Sequence, residues 1–468
     1  MKSTLFASLA RFRSLFLIAL IAFPALVAAK PSRQIKRSPV KSPAQLRHQS
    51  AKFNRAEARR LGARRRAEAA RLASLARQRA FEEEMRTRVQ NMIAKDDTRG
   101  EDAEIRRVVL NALGNHAGTV VVMDPQTGHV FSIVNQQWAV RETFKPCSTI
   151  KLVTGVAGLS EQVIDPNNIA ASDSNRVNLT QALAYSKNGY FQQVGSQVGI
   201  NRMVAHAREL GLGSKTGINV SNESAGRVPS LALSGENRVF SHGDGFRVTA
   251  LQLATLASTF ATHGRQVVPF ISRTGDREKS GSARSVGANA AVWQAMAPGM
   301  VGSVRYGSGR KAYDPSEIIA GKTGTCIDNG QWVGLFTSYA PLNDPKLAIV
   351  VIARGSDGRN HFPAAVAGRI YRELSSRFVN ANDMNLAKTN NPAPAAAVTD
   401  TDEDEAEEDA ASESAAKTET TKLVWGNGAM PVAGKVKPTV MALPQNPSAK
   451  RTAVPASERP RRALAMPQ

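Results

Sequence analysis

The sequence has few of the residues that signal a cofactor, a metal or a nucleic acid. Only 6% of its 468 residues are aromatic, and it contains two cysteines and seven histidines. The histidines do not have the spacing of a metal-binding motif, and no nucleic-acid-binding motif is present. We therefore expect no cofactor, no bound metal and no nucleic-acid partner, despite a net charge of +22.

Long apolar runs are also lacking. The apolar run near the N-terminus covers residues 15–29, which is short for a membrane-spanning helix of about 20 residues. Basic residues precede it, and Val27 and Ala29 are small residues at plausible cleavage positions. This pattern predicts an export signal over residues 1–29, either cleaved or retained as an anchor. Export would place Cys147 and Cys326 where they could form a disulfide.

The positive charge is concentrated in residues 30–79. Residues 51–94 are rich in Ala, Arg, Leu and Glu and contain no proline, which predicts one long basic helix within an arm over residues 30–104. Two interpretations stay open. The arm either contacts an anionic membrane or cell-wall polymer, or it is a solvated stalk.

The C-terminal composition changes after residue 380. Pro-Ala runs, an acidic block at 400–409 and a basic end show no periodicity. This composition predicts a disordered tail over residues 381–468. The acidic block would either pair with the basic arm or make the chain more soluble.

Residues 105–380 have the pattern of an α+β domain. Apolar, β-rich runs occur near its start at 119–123 and 130–134, and near its end at 332–339 and 347–353. We expect these strands to share one antiparallel sheet, with the helices between them packed against it. Helices are predicted at 105–113, 148–159, 178–199, 249–262, 288–300 and 363–374.

The central sequence feature is Ser148-x-x-Lys151, which follows Pro146. Side chains three residues apart share one face of a helix, and a desolvated lysine can act as the base for a serine hydroxyl. Ser148 would lie in the first turn, where free backbone N–H groups can polarise an acyl oxygen. Alone the motif is weak, since about one or two matches are expected by chance in a chain of this length.

Two further elements follow it. Ser186-Lys187-Asn188 is predicted at a loop or helix end, and Lys322-Thr323-Gly324-Thr325 immediately precedes the C-terminal strand pair. There is also a second Lys-Thr-Gly at Lys215, in a glycine-rich stretch with no strand pair after it. We assign that copy a structural role.

This triple resembles the motif set of penicillin-recognising serine acyl transferases, and residues 105–380 resemble the transpeptidase domain of penicillin-binding proteins. The resemblance extends to residues 118–128, 186–191, 210–226, 249–254 and 321–325. It implies an α+β, β-lactamase/transpeptidase-like fold: a five-stranded antiparallel sheet flanked by helices, plus an all-helical lobe. The N-terminal helix and the C-terminal tail would lie outside this fold.

The resemblance also implies an activity, that of a D,D-transpeptidase of peptidoglycan synthesis or of a closely related D,D-carboxypeptidase. Ser148 would attack the carbonyl of a D-Ala-D-Ala stem peptide of peptidoglycan, or of a β-lactam, with Lys151 as base. Ser186 would relay a proton to the leaving amine, Asn188 would hold the acyl amide or Lys151, and Lys322 would supply positive potential. The protein would then be exported to the periplasm or to the outer face of the bacterial inner membrane.

The third motif is expected to bind substrate through Thr323, Gly324 and Thr325. The threonine hydroxyls would bind the substrate carboxylate, and the backbone N–H groups of Ser148 and Thr325 would form the oxyanion hole.

Cys147 directly precedes Ser148, and Cys326 directly follows Thr325. The pair is similar to one in certain class A carbapenemases, in which a disulfide joins these motif-relative positions. The resemblance thus implies a disulfide behind the active site, and the alternative is two buried thiols.

The cysteine pair and the compact domain also leave a serine β-lactamase open, with Glu223 as a possible deacylating base. A third alternative is a non-catalytic penicillin sensor or cell-wall binding protein that works through its basic arm.

Overall fold

The computed structural model describes residues 42–165, 177–230, 237–272 and 283–391. The strands are Gly118–Met123 (β1), Val130–Val134 (β2), Arg265–Val267 (β3), Ala283–Ser285 (β4), Ala320–Asp328 (β5), Gln331–Ala340 (β6) and Leu347–Arg354 (β7). The helices are Pro43–Ile93 (α1), Ala103–Leu113 (α2), Lys151–Ser160 (α3), Leu179–Ala184 (α4), Asn188–Val198 (α5), Ile200–Glu209 (α6), Arg238–His242 (α7), Ala250–Ala261 (α8), Ala290–Arg305 (α9), Phe362–Phe378 (α10) and Ala381–Asn390 (α11).

The main sheet has five antiparallel strands in the order β2-β1-β7-β6-β5. The N-terminal hairpin therefore joins the C-terminal strands through the β1–β7 pair, in which Val121 lies opposite Val350. Every residue of β1 is buried, as expected for a Val-rich central strand covered on both faces. This arrangement confirms the predicted α+β fold and its shared sheet.

Helices cover both faces of this sheet. Adjacent residues of β6 point to opposite faces of the sheet. The Thr337 hydroxyl donates a hydrogen bond to Leu253 O of α8, whereas the Ser338 hydroxyl lies 3.1 Å from the Tyr371 hydroxyl of α10. α8 begins with a capping box formed by Thr249 and Gln252, and all twelve of its residues are buried. The helices α3, α5, α6 and α7 pack on one another, with α4 and α9 beside them, and form the expected helical lobe.

The compact unit that contains the predicted domain begins about twenty residues before residue 105. The chain divides into two compact units, one ending at Phe81 and the other starting at Glu82. Val89 and Ile93, in the last turns of α1, are buried in the hydrophobic core, and Arg86 forms a two-point ion pair with Asp357. The final part of the predicted arm thus belongs to the domain.

Ordered structure also continues past residue 380, where the predicted tail begins. α11 occupies the first ten residues assigned to that tail, and the buried Asn391 follows it. Asn391 Nδ2 donates hydrogen bonds to the carbonyl oxygens of Asp314 and Glu317, and the Tyr313 hydroxyl donates to Asn391 O. The domain therefore extends to Asn391, while the rest of the predicted tail lies outside the described residues.

The predicted export signal over residues 1–29 lies outside the described residues as well. Within the ranges that the structure describes, no helix is both long enough and apolar enough to cross a bilayer. Export therefore stays a prediction.

Glu317 makes stability depend on pH. Burial raises the pKa of its carboxyl from 4.5 to about 8, and the nearby carboxylates of Asp314 and Asp383 act in the same direction. Between these two pKa values the folded state keeps a proton that the unfolded chain has lost, so stability is expected to fall as pH rises from about 4.5 to about 8. Replacing Glu317 with glutamine should raise the melting temperature at pH 9 and leave it nearly unchanged at pH 4.5. An unchanged melting temperature at pH 9 would contradict this account.

Candidate active site

Ser148 lies in a tight 3-10 turn, Cys147–Ile150, that leads directly into α3. Pro146 precedes the turn, and Lys151 is the first residue of α3. Ser148 is 3% exposed and Lys151 is fully buried. The spacing of one helical turn brings Lys151 Nζ to 2.9 Å from Ser148 Oγ. A serine hydroxyl and a buried amine are therefore in direct hydrogen-bond contact, the geometry needed for an activated nucleophile.

Lys151 is also held by the second motif. Ser186 lies between α4 and α5 with a left-handed φ of 55°, which divides the largely helical stretch predicted over 178–199 into two helices. Lys151 Nζ donates to the carbonyl oxygen of Ser186 and, at 2.7 Å, to Asn188 Oδ1. Since both oxygens only accept hydrogen bonds, they orient two N–H groups of the amine. The nitrogen also contacts the hydroxyls of Ser148 and Ser186, each at 2.9 Å.

Lys322 enters the site from the other side. It lies on β5, an edge strand of the sheet, and is fully buried. Lys322 Nζ donates to Ser186 Oγ at 2.9 Å and to Thr323 O at 3.0 Å. The Ser186 hydroxyl thus lies within hydrogen-bond distance of both lysine side chains. This arrangement can pass a proton between the nucleophile side and the substrate side of the site.

The third motif lies close to the nucleophile turn because Gly324 has no side chain. A Cβ at Gly324 would lie 3.0 Å from Pro146 O and 3.2 Å from Thr149 Cγ2. Thr325 is partly exposed and pairs with Gly334 across the β5–β6 ladder. The outer edge of β5 is not paired with any strand of the described chain, so an extended ligand can align along it.

Sequence reasoning missed Ser308. Its hydroxyl lies 2.6 Å from that of Thr323, and its backbone N–H donates to Ala184 O at the end of α4. Ser308 therefore links the third motif to the segment before Ser186. It lies between Gly307 and Gly309 in a loop, and no spacing rule connects it with the other motifs.

Cys147 and Cys326 form a disulfide, as the resemblance implied. Both cysteines are buried. The bridge joins the turn that carries Ser148 to strand β5, and it closes a loop with a sequence separation of 179 residues.

Removal of this disulfide should destabilise the protein. For a loop of this length the chain-entropy estimate is about 5 kcal/mol, and native disulfides typically contribute about 2–5 kcal/mol. We expect the double variant Cys147→Ala, Cys326→Ala to melt well below the wild type, and reduction of the wild type to lower its melting temperature comparably. Thiol titration of denatured, unreduced wild type should find no free thiol, whereas two thiols per chain would refute the bridge.

Glu223 closes the loop that contains the second Lys-Thr-Gly. Its carboxylate accepts hydrogen bonds from the backbone N–H and hydroxyl of Thr216, both at 2.6 Å, and from Gly217 N at 3.0 Å. These contacts agree with the structural role predicted for that copy. They occupy both carboxylate oxygens and do not favour Glu223 as a deacylating base.

His242 is buried near Lys151. Burial, together with the positive charge of Arg238, lowers the pKa of His242 to about 3. The imidazole is therefore neutral at physiological pH. Among the residues that the structure describes, no cluster of three or more His, Cys, Asp or Glu side chains is arranged to hold a metal ion.

Comparison with known protein families matches residues 118–376 to the penicillin binding protein transpeptidase domain. This match covers more than half of the chain and includes all of the predicted site residues. The chain belongs to the penicillin-binding protein transpeptidase domain family.

Curated relatives of this transpeptidase domain include the peptidoglycan D,D-transpeptidase MrdA of Acinetobacter baumannii, which is 27% identical over 55% of this chain and 52% of that protein. The peptidoglycan D,D-transpeptidase FtsI of Escherichia coli is 24% identical over 58% of this chain and 53% of that protein. The chain thus spans about half the length of the curated relatives it matches.

Solved structures show the same transpeptidase fold. The transpeptidase domain of penicillin-binding protein 3 from Burkholderia pseudomallei superposes with a TM-score of 0.53 at 20% identity, covering 61% of this chain and 97% of that one. Penicillin-binding protein 2 of Pseudomonas aeruginosa, solved in complex with WCK 5153, gives 0.52 at 22% identity, covering 61% and 79%.

Proposed function

We propose that this chain is a peptidoglycan D,D-transpeptidase that acts through an acyl-enzyme on Ser148. The observation that carries the proposal is the continuous hydrogen-bond path from Ser148 Oγ through Lys151 Nζ and Ser186 Oγ to Lys322 Nζ, with 2.9 Å at each step. The curated relatives named D,D-transpeptidases support the same reaction class.

The first half-reaction begins with attack of Ser148 Oγ on the carbonyl carbon of the penultimate D-alanine. Lys151 in its neutral form takes the hydroxyl proton as the new C–O bond forms. The C–N bond to the terminal D-alanine then breaks. Its nitrogen receives a proton through the Ser186 hydroxyl, which Lys151 and Lys322 both contact. Free D-alanine leaves, and the peptide stays attached to Ser148 as an ester.

The second half-reaction reverses these steps with a different amine. An amino group of a neighbouring stem peptide attacks the ester carbonyl and forms the cross-link, and the proton returns to Ser148 Oγ. In both halves the backbone N–H groups of Ser148 and Thr325 are proposed to bind the developing oxyanion. One such donor contributes about 3–4 kcal/mol in a well-studied hydrolase.

Substrate binding is assigned to the β5 edge. The hydroxyls of Thr323 and Thr325, with the charge of Lys322 beside them, are proposed to bind the terminal carboxylate. Gly324 lets the strand lie close to the nucleophile turn.

The experiment that tests this proposal uses a diacetylated pentapeptide ending in D-Ala-D-Ala, together with a fluorescent D-amino acid as acceptor. Wild type should release D-alanine and form the fluorescent exchange product, and Ser148→Ala should do neither. Release without exchange would indicate a carboxypeptidase. Rapid hydrolysis of a penicillin with no action on the peptide would indicate the β-lactamase alternative.

The location and the basic arm complete the proposal. Residues 43–81 of α1 contain eleven Lys and Arg residues against two Glu, together with exposed apolar side chains such as Leu46, Phe53 and Leu72. The excess of basic charge favours contact with an anionic membrane or cell-wall polymer. The relatives named peptidoglycan D,D-transpeptidases support a location outside the cytoplasm. Co-sedimentation with vesicles containing anionic lipid, but not with zwitterionic vesicles, is the expected result. Equal behaviour with both would argue against an anionic membrane as the partner of the arm.

A further inference from the structure

A second cavity of about 400 Å³ lies apart from the predicted catalytic residues. It is lined by the end of α6, the loop that contains Lys215, helix α8 and the paired strands β3 and β4. None of the predicted site residues lines it. Its volume is in the range of sites that bind small organic molecules.

The charged side chains that line this cavity are all basic. Three basic side chains line it, Arg208, Lys215 and Arg284, and no aspartate or glutamate does. Arg284 Nη2 donates to the backbone oxygen of Glu209. Neither Arg208 nor Lys215 has an ion pair within the part of the chain that the structure describes. Three basic side chains along one cavity favour an anionic ligand.

A buried donor also points to a ligand. Gln266, on β3, lines the cavity and is 7% exposed, yet its Nε2 has no hydrogen-bond partner among the described residues. A buried amide without a partner is uncommon and costly in native proteins. Gly211 leaves space beside it, since a Cβ at that position would lie 2.9 Å from Gln266 Nε2. An acceptor oxygen in the cavity would satisfy this amide.

The rest of the cavity lining suits an uncharged part of a ligand. Leu210, Val267 and Val268 contribute apolar surface to the same cavity. By contrast, Gln252 Nε2 is already bonded to the carbonyl oxygens of Ser214 and Ala225. The ligand is therefore expected to combine one oxyanion group with a compact, uncharged body.

We propose that this cavity is a second ligand site, which binds a small molecule carrying one carboxylate or phosphate group on a body about the size of a sugar ring. The oxyanion contacts Arg208, Lys215 and Arg284, and Gln266 donates from the floor of the site. The proposal does not depend on the chemistry at Ser148. It also gives the loop of the second Lys-Thr-Gly a binding function in addition to its structural one.

The test measures binding to the full chain by calorimetry with three probes of similar size. N-acetylmuramic acid supplies a carboxylate, N-acetylglucosamine 1-phosphate supplies a phosphate, and N-acetylglucosamine is neutral. At least one acidic probe should bind at least about tenfold more tightly than the neutral sugar. Binding of one acidic probe shows whether the site takes a carboxylate or a phosphate. Binding of both shows that it accepts either oxyanion.

Variants assign the binding to this cavity. The double variant Arg208→Gln, Lys215→Gln changes exposed side chains and should weaken the acidic probe at least about tenfold. Gln266→Leu should also weaken it, and the melting temperatures of the variants report whether they are folded. Arg107→Gln, an exposed arginine on α2 outside the cavity, is the matched control and should bind as wild type. Wild-type affinity in the double variant, equal binding of the neutral sugar, or no binding of either acid at about 10 mM would overturn the proposal.

Discussion

Replacing Lys151 with methionine is expected to lower the rate of Ser148 acylation by about 10²–10⁴-fold, the usual contribution of a general base. Lys151 Nζ is the group in direct contact with the nucleophile oxygen, at 2.9 Å. Methionine keeps most of the buried volume but cannot accept a proton. The rate is measured from the increase in intact mass during incubation with a penicillin, with the melting temperature recorded in parallel.

Lys187→Met is the matched control for this variant. Lys187 belongs to the second motif, but its ammonium lies over the ring of Tyr185, 5.9 Å from the centroid. The control should be acylated at the wild-type rate. If a folded Lys151→Met protein were acylated within about tenfold of wild type, another group would have to be the base.

Replacing Arg106 with methionine is expected to destabilise the domain by about 3–5 kcal/mol, because it leaves two buried carboxylates without their cation. Arg106 donates to Asp96 Oδ2 at 2.9 Å and to Glu101 Oε2 at 2.8 Å, and the two carboxylates are 2% and 1% exposed. Burial raises the pKa of Asp96 even with this arginine beside it. The measurement is equilibrium denaturation together with the melting temperature.

Arg99→Met is the matched control for the Arg106→Met variant. Arg99 forms an ion pair of similar length with Asp97, at 2.8 Å, but its side chain is 80% exposed. Exposed pairs contribute little to stability, so this variant should melt with the wild type. Equal melting temperatures for the Arg106 and Arg99 variants would show that the buried network does not stabilise the fold.

The fold and the site differ in how far the sequence predicted them. The strands of the main sheet follow from apolar, β-branched runs, and the Ser148–Lys151 contact follows from the helical spacing of three. Ser308 was missed because its contact with Thr323 is a tertiary one between a loop and an edge strand. No local pattern encodes such a contact.

The structure extends beyond the predicted domain at both ends, and the sequence does not show this for related reasons. α1 is continuous through residue 93, so the helical sequence pattern does not change at the last turns, where Val89 and Ile93 are buried. α11 has few buried apolar residues, and the chain after it is held by hydrogen bonds of Asn391. The amino-acid composition of α11 is therefore similar to that of the tail after it, and composition alone does not mark the end of the domain.

The central claim is that Ser148 forms an acyl-enzyme, and a labelling time course with a fluorescent penicillin tests it most directly. Wild type should gain one label per chain that persists for many minutes, and a folded Ser148→Ala protein should gain none. Label that clears within seconds while penicillin is consumed would instead fit a β-lactamase. Equal labelling of Ser148→Ala, or no labelling of folded wild type, would contradict the account.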